Sequence, residues 1–241
     1  MLYYARLVAV CAYFILFSFM AVAFSSLRPF HGNNTRIVLK LLYPAYWIMN
    51  LKIIAPKQPK VAGPVVFIAN HQDLLDVFFF AKIWPKNCAG VGKQELAWVP
   101  VFGAAFWLAG NIFVNRGNKD KARAVVDQMA EKINSLKRSI FIMPEGTRSR
   151  GKGLLSFKKG AFIAAIKAGV PIVPLCVSST KNISLSDWRP KPGMVEFLDP
   201  ISTVGLTEED AEYLAQKCHK LMKEHIDLMD QRLAAEFKDK D

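Results

Sequence analysis

Apolar residues dominate the start of the chain. Residues 7–24 form a run of 18 positions without a charge, and the run continues to Leu27 before Arg28 interrupts it. A run of this length is sufficient for a helix inserted in a membrane. It has no polar face to present to water, unlike the surface helices of soluble proteins. We therefore predict a membrane-associated helix at the N-terminus.

A second apolar segment, residues 37–54, is interrupted by lysines and a proline and has aromatic residues near its middle. It is too polar for a clean membrane span. Aromatic and basic residues on such a segment are typical of an element lying in the membrane interface, or of a partner helix packed on the first. Arg28, Arg36 and Lys40 follow the first helix and favour a cytoplasmic location for this side.

Residues 56–64 (PKQPKVAGP) form a basic, proline-rich linker, which indicates a boundary between residues 1–58 and residues 59–241. The second region alternates two patterns. Short apolar runs, typical of strands, occupy residues 65–69, 111–115, 139–143, 172–177 and 194–198. Amphipathic patterns, typical of helices, occupy residues 74–82, 119–137, 160–168 and 207–237.

This alternation predicts an α/β fold. We expect a largely parallel central sheet flanked by helices, preceded by the N-terminal membrane-associated helical element. In such sheets the functional loops follow the carboxyl ends of the strands. Polar residues just after the predicted strands are therefore the candidates for chemistry.

The composition gives the chain a large net positive charge. The chain carries 32 Lys and Arg against 20 Asp and Glu, a net charge of +12. This excess indicates an anionic partner, which the charge alone leaves open among nucleic acid, an acidic membrane surface and phosphate-bearing substrates. The four cysteines are widely separated and have no metal-ligand spacing, so we expect free thiols and no zinc site.

The first predicted strand of the second region ends at Asn70-His71, and Asp76 follows at the start of a predicted helix. Asp73 is a natural N-cap, which would place Asp76 at the third helical position. Side chains in the first helical turn lean toward the helix start, so the Asp76 carboxylate can reach the His71 ring and select its tautomer. This pair resembles the base and orienting carboxylate of a hydrolytic triad, for use on a substrate that brings its own hydroxyl.

Cations follow other predicted strands. Arg148 lies in the loop after residues 139–143, and Arg116 follows residues 111–115, with Lys93 and the pair Lys158-Lys159 as further cations. Arginine suits phosphate because its planar fork donates two hydrogen bonds to two oxygens. Between Lys93 and Arg116, residues 96–109 carry no charge, so this stretch is a core helix, the wall of an acyl groove or a surface in contact with lipid.

Four short blocks occur in order and at ordinary spacing. The first, NHxxxxD, runs from Asn70-His71 to Asp76, and the second is GNIFVNR at residues 110–116. The third, MPEGTRS at residues 143–149, has Met143 where Phe is usual, and the fourth is VPIVP at residues 170–174. In these blocks the chain resembles the bacterial 1-acyl-sn-glycerol-3-phosphate acyltransferases over nearly its whole length.

The resemblance implies transfer of an acyl group from acyl-CoA, or acyl carrier protein, to the sn-2 hydroxyl of lysophosphatidic acid, giving phosphatidic acid. It implies that His71 is the general base and Asp76 its orienting partner, with direct attack on the thioester. It assigns binding of the acceptor to Lys93, Arg116, Glu145, Gly146, Thr147 and Arg148. We expect no metal and no cofactor other than the acyl donor as co-substrate.

Two alternatives remain at this point. The same chemistry could act on glycerol 3-phosphate or another lysophospholipid, or the chain could be a non-catalytic membrane protein that binds anionic lipid. Nucleic acid is not an expected partner, because no recognised binding motif accompanies the charge. We expect a bacterial inner-membrane protein on an anionic membrane surface, with its catalytic domain facing the cytoplasm.

Overall fold

A computed structural model describes residues 1–57, 59–115, 119–181, 183–184, 186 and 192–238 of the chain. These residues form one mixed sheet covered by helices on both faces. The strands are β1 (Lys52–Ile54), β2 (Val66–Ala69), β3 (Cys88–Lys93), β4 (Ile112–Val114), β5 (Ser139–Ile142), β6 (Ile172–Val177) and β7 (Pro192–Phe197). The α-helices are α1 (Leu2–Ser26), α2 (Asn34–Lys40), α3 (Tyr43–Met49), α4 (Asp76–Ile83), α5 (Phe102–Leu108), α6 (Lys119–Leu136), α7 (Gly160–Ala168) and α8 (Ala211–Lys238). Single 3₁₀ turns cover Gln94–Trp98 and Glu208–Asp210.

The strand order across the sheet is β1-β7-β6-β2-β5-β3-β4. The five strands from β6 to β4 are parallel to one another, β7 runs antiparallel to β6, and β1 is parallel to β7. Strand β2 lies at the centre of the parallel part, where Ile68 pairs with Ile142 of β5 and Pro174 of β6. The predicted fold class is confirmed, and the loops after β2 and β5 leave the same edge of the sheet side by side.

Two apolar cores explain why β2 is apolar at every position. Phe67 and Ala69 pack into the core formed with α1 to α4, whereas Val66 and Ile68 pack into the core formed with α6, α7 and α8. Successive side chains of a strand point to opposite faces, so a strand that is covered on both faces has no polar position.

Helix α1 is long and apolar enough to cross a membrane, with a mean hydropathy of 2.5 in its most apolar window and only 17% of that window buried. It packs against α2, α3 and α5, and the Phe14 ring stacks on Phe102 of α5 at a centroid distance of 5.9 Å. The remaining surface exposes aromatic and aliphatic side chains to the outside, as do Trp47, Trp98 and Trp107 nearby in the N-terminal region and around α5. A helix of a soluble core would be mostly buried, so these exposed apolar side chains favour contact with lipid.

The uncharged residues 96–109 do not form a core helix. They comprise the last residues of the first 3₁₀ turn and all of α5. In α5, Gly103 and Ala105 are buried while Trp107 is exposed. Because α5 packs on α1, the two helices present one continuous apolar surface. Of the three interpretations of this segment, the lipid-contacting surface is the one that this exposure favours.

Three local features differ from what the sequence predicts. Residues 37–54 are not one element but divide into parts of α2, α3 and β1, although α2 and α3 do pack on α1 as the partner-helix interpretation expected. Strands β1 and β3 were not predicted, since β1 is three residues long and β3 contains two glycines. Helix α4 begins at Asp76 with Leu75 as N-cap residue, so Asp73 does not cap it and Asp76 is its first position.

The boundary between residues 1–58 and 59–241 stays a prediction. Strand β1 lies before that boundary but pairs with β7 beyond it, through Lys52 with Pro192 and Ile54 with Met194. The N-terminal segment is therefore joined to the rest of the sheet by backbone pairing as well as by side-chain packing.

Candidate active site

The loop between β2 and α4 brings His71 and Asp76 together. Asp76 Oδ2 lies 2.6 Å from His71 Nδ1 and also accepts hydrogen bonds from the backbone N–H groups of Gln72 at 2.6 Å and Asp73 at 3.2 Å. The Asp76 side chain is 2% exposed and the His71 side chain 20% exposed. An ionised Asp76 requires Nδ1 to be the protonated ring nitrogen, which leaves Nε2 as the acceptor.

The predicted contact between the two side chains is therefore present, although it arises differently from the expectation. Asp76 is the first residue of the helix, and its carboxylate accepts hydrogen bonds from the backbone of the loop that contains the histidine. The geometry is that of a base with its orienting carboxylate, and the catalytic roles of the two residues stay a prediction.

Three further side chains attach this loop to the end of β6. Asn70 donates from Nδ2 to the Val177 carbonyl at 2.9 Å, and its Oδ1 accepts from the Val177 N–H at 2.8 Å. Gln72 donates from Nε2 to the Ser178 carbonyl at 2.8 Å. Asp73 accepts from the Thr180 hydroxyl at 2.6 Å. We did not identify these positioning residues from the sequence. The one available indication was that Asn70 directly precedes His71 in the motif.

Glu145, in the loop after β5, supports the same histidine from the other side. Its Oε1 accepts from the His71 N–H at 2.6 Å and its Oε2 from the Leu155 N–H at 2.9 Å, and the residue is 3% exposed. Both oxygens are engaged with the backbone, and a carboxylate repels a phosphate. These hydrogen bonds help to hold the His71 backbone in place, and binding of the acceptor by Glu145 stays a prediction.

Backbone hydrogen bonds join the two loops as well. The Ser149 N–H donates to the His71 carbonyl at 2.8 Å, and the Arg150 N–H donates to the Gln72 carbonyl at 3.0 Å. The third sequence block thus holds the first block in place through its main chain, while its own side chains at Thr147 and Arg148 are exposed.

Burial raises the pKa of both carboxyls in the site. The pKa of Asp76 is raised by desolvation, and the hydrogen bond from His71 opposes that shift. The pKa of Glu145 is also raised by desolvation, against the backbone hydrogen bonds from His71 and Leu155. The free-energy cost of removing these charges from water is therefore only partly compensated by hydrogen bonds. This is expected for groups that are retained for function rather than for stability.

The cationic residues are arranged around this rigid centre. Gly146 has a left-handed backbone (φ +71°), and a Cβ at this position would lie 3.0 Å from Lys158 Cε, so the Lys158 side chain lies across the glycine. Lys93 ends β3, is exposed, and pairs with Glu95 at 2.9 Å. Since neighbouring strands are about 4.8 Å apart, β3 is roughly 10 Å from β2 across the sheet edge. Arg116, the predicted cation after β4, lies outside the described residues.

A polar cavity of about 230 Å³ adjoins the loops on the side of α8, lined by residues that include Asn70, Glu145 and Asp230. His71 and Asp76 are not among the described residues that line it, although their neighbours Asn70, Gln72 and Glu145 are. In the described part of the chain, no group of three or more His, Cys, Asp or Glu side chains is suited to hold a metal ion.

The thiols do not offer a nucleophile. Cys88, Cys176 and Cys218 are buried and Cys11 is exposed on α1. Burial raises the pKa of the Cys176 and Cys218 thiols to about 12, so both are neutral at physiological pH.

Comparison with known proteins identifies the family. The model of the Acyltransferase family matches residues 50–178, more than half of the chain and the part that contains the loops described above. The chain belongs to this family. The acyltransferase is 38% identical over 231 residues to the 1-acyl-sn-glycerol-3-phosphate acyltransferase of Haemophilus influenzae, covering 95% of each chain. It is 36% identical over 238 residues to the Escherichia coli protein of the same name, covering 97% of each.

The fold agrees with a solved structure. The crystal structure of PlsC, the 1-acyl-sn-glycerophosphate acyltransferase of Thermotoga maritima, matches this acyltransferase with a TM-score of 0.69 at 21% identity, over 94% of this chain and 93% of that one. The resemblance stated from the four sequence blocks is confirmed, and the chain is an acyltransferase rather than a non-catalytic lipid-binding protein.

Proposed function

We propose that this acyltransferase moves a fatty acyl group from acyl-CoA or acyl carrier protein to the sn-2 hydroxyl of 1-acyl-sn-glycerol 3-phosphate, forming phosphatidic acid in phospholipid biosynthesis. The observation that carries the proposal is the 2.6 Å contact between His71 Nδ1 and Asp76 Oδ2, beside a cationic loop and in a chain similar throughout to enzymes of that name.

The chemistry needs only the base and the two substrates. His71 Nε2 takes the proton of the acceptor hydroxyl as the oxygen attacks the thioester carbonyl carbon. The tetrahedral adduct collapses to the new ester, the carbon–sulfur bond breaks, and the thiolate takes the proton back from the imidazolium. Asp76 stabilises that imidazolium and holds the reactive tautomer throughout. No acyl-enzyme forms, since the thioester is already activated and the acceptor supplies the nucleophile.

The acceptor phosphate is bound by side chains around the loop after β5. Arg148 is exposed there and supplies a planar fork for two phosphate oxygens. Lys93 lies two strands from His71, and Lys158 crosses Gly146. The long lysine and arginine side chains reach toward the loop after β2, so the phosphate is held by cations while the sn-2 hydroxyl is presented to the histidine.

The membrane setting follows from α1 and the surface around α5. An acceptor with one acyl chain and a charged headgroup resides at the membrane surface, and exposed apolar side chains on α1 and α5 provide contact with that surface. The basic residues Arg28, Arg36 and Lys40 after α1 support an orientation with the catalytic domain on the cytoplasmic side of the bacterial inner membrane.

The test uses the purified full chain in detergent with labelled acyl-CoA or acyl carrier protein as donor. Lysophosphatidic acid, glycerol 3-phosphate and lysophosphatidylcholine are compared as acceptors, with His71→Ala as the matched variant. We expect product from lysophosphatidic acid only, with a loss of at least about 10³-fold in the variant. Transfer to another acceptor would reassign the substrate, and an acylated protein isolated from an acid quench would overturn direct attack.

A further inference from the structure

A second cationic feature lies away from the reacting residues. A cleft of about 280 Å³ opens between α2, α3, the segment after β1 and the carboxyl end of α4. Four of the residues that line this basic cleft carry positive charge: Arg36, Lys40, Lys57 and Lys82. Its other walls are apolar or aromatic, and no carboxylate lines it among the described residues.

The cleft gathers its four charges without a neutralising carboxylate from the residues that the structure describes. Within the described part of the chain, none of the four has a carboxylate at ion-pair distance. Lys82 Nζ instead lies over the rings of Tyr43 and Tyr46, 5.6 and 5.7 Å from their centroids. Ring faces hold an ammonium without cancelling its charge. Four like charges around one cleft repel one another, so an anion that enters the cleft is attracted by all of them.

The basic cleft is distinct from the active site. Asp76 is the first residue of α4, and the residues that line the cleft are its last three together with Trp84. An eight-residue helix is about 12 Å long. Helix α4 returns along the sheet after β2, so its carboxyl end lies toward the opposite edge from the His71 loop.

The neighbouring surface indicates which anion the cleft receives. Helices α2 and α3 form two of its walls and pack on α1, whose outer face is apolar and exposed, and Trp47 of α3 is 87% exposed. A lipid whose chains contact this apolar surface has its headgroup at the level of the basic residues beside it. The cleft is at the small end of ligand pockets, which suits a headgroup and not a whole lipid.

We propose that the basic cleft binds the phosphate headgroup of an anionic membrane phospholipid, separately from the acceptor. This inference goes beyond the proposed reaction and rests on its membrane setting alone. The site would anchor the chain next to anionic lipid and hold α2 and α4 together across it.

The experiment measures lipid retention by native mass spectrometry on the full chain in a neutral detergent, with phosphatidylglycerol or phosphatidylcholine added and no acyl donor present. We expect one phosphatidylglycerol bound in preference to phosphatidylcholine. Arg36→Gln/Lys40→Gln should weaken this binding by about tenfold or more, and Lys57→Gln alone, which changes no helix, by about fivefold. Thermal unfolding of each variant checks the fold.

Two controls separate this site from general charge and from the active site. Lys217→Gln/Lys220→Gln removes the same charge from exposed positions of α8 and should leave retention unchanged. Arg148→Ala, in the loop after β5 that we propose to bind the acceptor phosphate, should also leave lipid retention unchanged. Equal loss in the α8 variant, loss in Arg148→Ala, or equal retention of the two lipids would overturn the proposal. Displacement of the bound lipid by millimolar CoA or inorganic phosphate, with the same dependence on Arg36 and Lys40, would reassign the cleft to a soluble phosphate.

Because the readout needs no turnover, it is independent of the proposed reaction. Lipid retention by a His71→Ala protein would support the cleft even where transfer to lysophosphatidic acid fails. Conversely, an active enzyme with no lipid preference would leave the proposed function intact and remove this inference.

Discussion

The loops after β2 and β5 leave the same sheet edge but are held in opposite ways. In the first loop, Asn70, Gln72, Asp73 and Asp76 all use their side chains to hydrogen-bond to backbone or side-chain partners. In the second, the structural side chain Glu145 is buried, whereas Thr147 and Arg148 reach solvent.

The difference reflects what each loop must do. Proton transfer requires the base within a few tenths of an ångström of its productive position before the substrate arrives. Phosphate binding tolerates a mobile, solvated cation, which is ordered when the charged ligand supplies its partner. Substitutions in the first loop should therefore lower kcat, and substitutions of the exposed cations should raise KM.

The largest effect is expected at Asp76. Asp76→Asn keeps the size of the side chain but removes the charge that selects the His71 tautomer, so kcat should fall by about 10³-fold or more with little change in the KM for lysophosphatidic acid. Steady-state kinetics of the purified variant provide the measurement. A tenfold loss or less would mean that His71 does not depend on this carboxylate.

Glu145→Gln tests whether the buried carboxylate positions His71 or binds the acceptor. One of the two N–H groups of His71 and Leu155 would face an amide NH₂, so the histidine loop should shift and kcat should fall by about 10-fold to 100-fold. Since Glu145 acts through His71, the KM for the acceptor should stay within about twofold.

Glu145→Asp is the conservative partner of that substitution. It restores the charge but is one methylene shorter, and partial recovery of kcat is expected. A rise in KM with unchanged kcat in either variant would instead support the expectation that Glu145 binds the acceptor.

The adjacent lysines offer a matched comparison for the phosphate. Lys158 crosses Gly146, whereas Lys159 pairs with Glu212 of α8 at 2.8 Å. Lys158→Ala should raise the KM for lysophosphatidic acid by about tenfold, the value of one hydrogen bond to a charged group, and Lys159→Ala should leave it unchanged. Similar effects from both variants would indicate general charge rather than a contact.

The smallest expected effect is on how the stability of the protein depends on pH. A carboxyl whose pKa is raised by folding binds its proton more tightly in the folded state, so the free energy of unfolding decreases as pH rises above the ordinary value of 3.8 through the folded pKa of Asp76. Asp76→Asn removes this contribution. The melting temperature of the variant relative to wild type should therefore increase between about pH 3.5 and 7.

That comparison is made by thermal unfolding of both proteins in the same neutral detergent. Glu145 shows the same direction of shift and is present in both proteins, and the Asp76 charge is the smallest of the causes given for that shift, after desolvation, so most of the Glu145 contribution is common to both. A difference that is constant with pH, or that decreases, would contradict burial as the cause of the raised pKa.

Several elements were predictable because local chemistry decides them. Helix α7 was predicted with its observed ends, and the acids after Thr207 do start a helix, with a capping box between Thr207 and Asp210. Strands β2, β5 and β6 were predicted from apolar runs that need burial on both faces. The contact of His71 with Asp76 was predictable because the two residues lie only five positions apart, on either side of a helix start.

Strand β3 shows what such patterns miss. Its glycines look unfavourable for a strand, yet a Cβ on Gly92 would lie 2.8 Å from Phe106, and one on Gly90 would lie 3.1 Å from Trp84. These positions are small because aromatic rings from other elements lie against them. The signal for this strand is therefore in its neighbours and not in its own residues.

By itself, the sequence determined the family, the alternation of strands and helices, the apolar first helix and the pair of residues suited to proton transfer, because each depends on residues close together along the chain. Only the tertiary structure decided the strand order, the hydrogen bonds of Glu145 to the His71 and Leu155 backbone, and the gathering of Arg36, Lys40, Lys57 and Lys82 around one cleft. These depend on contacts between segments distant in sequence, where burial and the sum of neighbouring charges, rather than local pattern, determine what a side chain does.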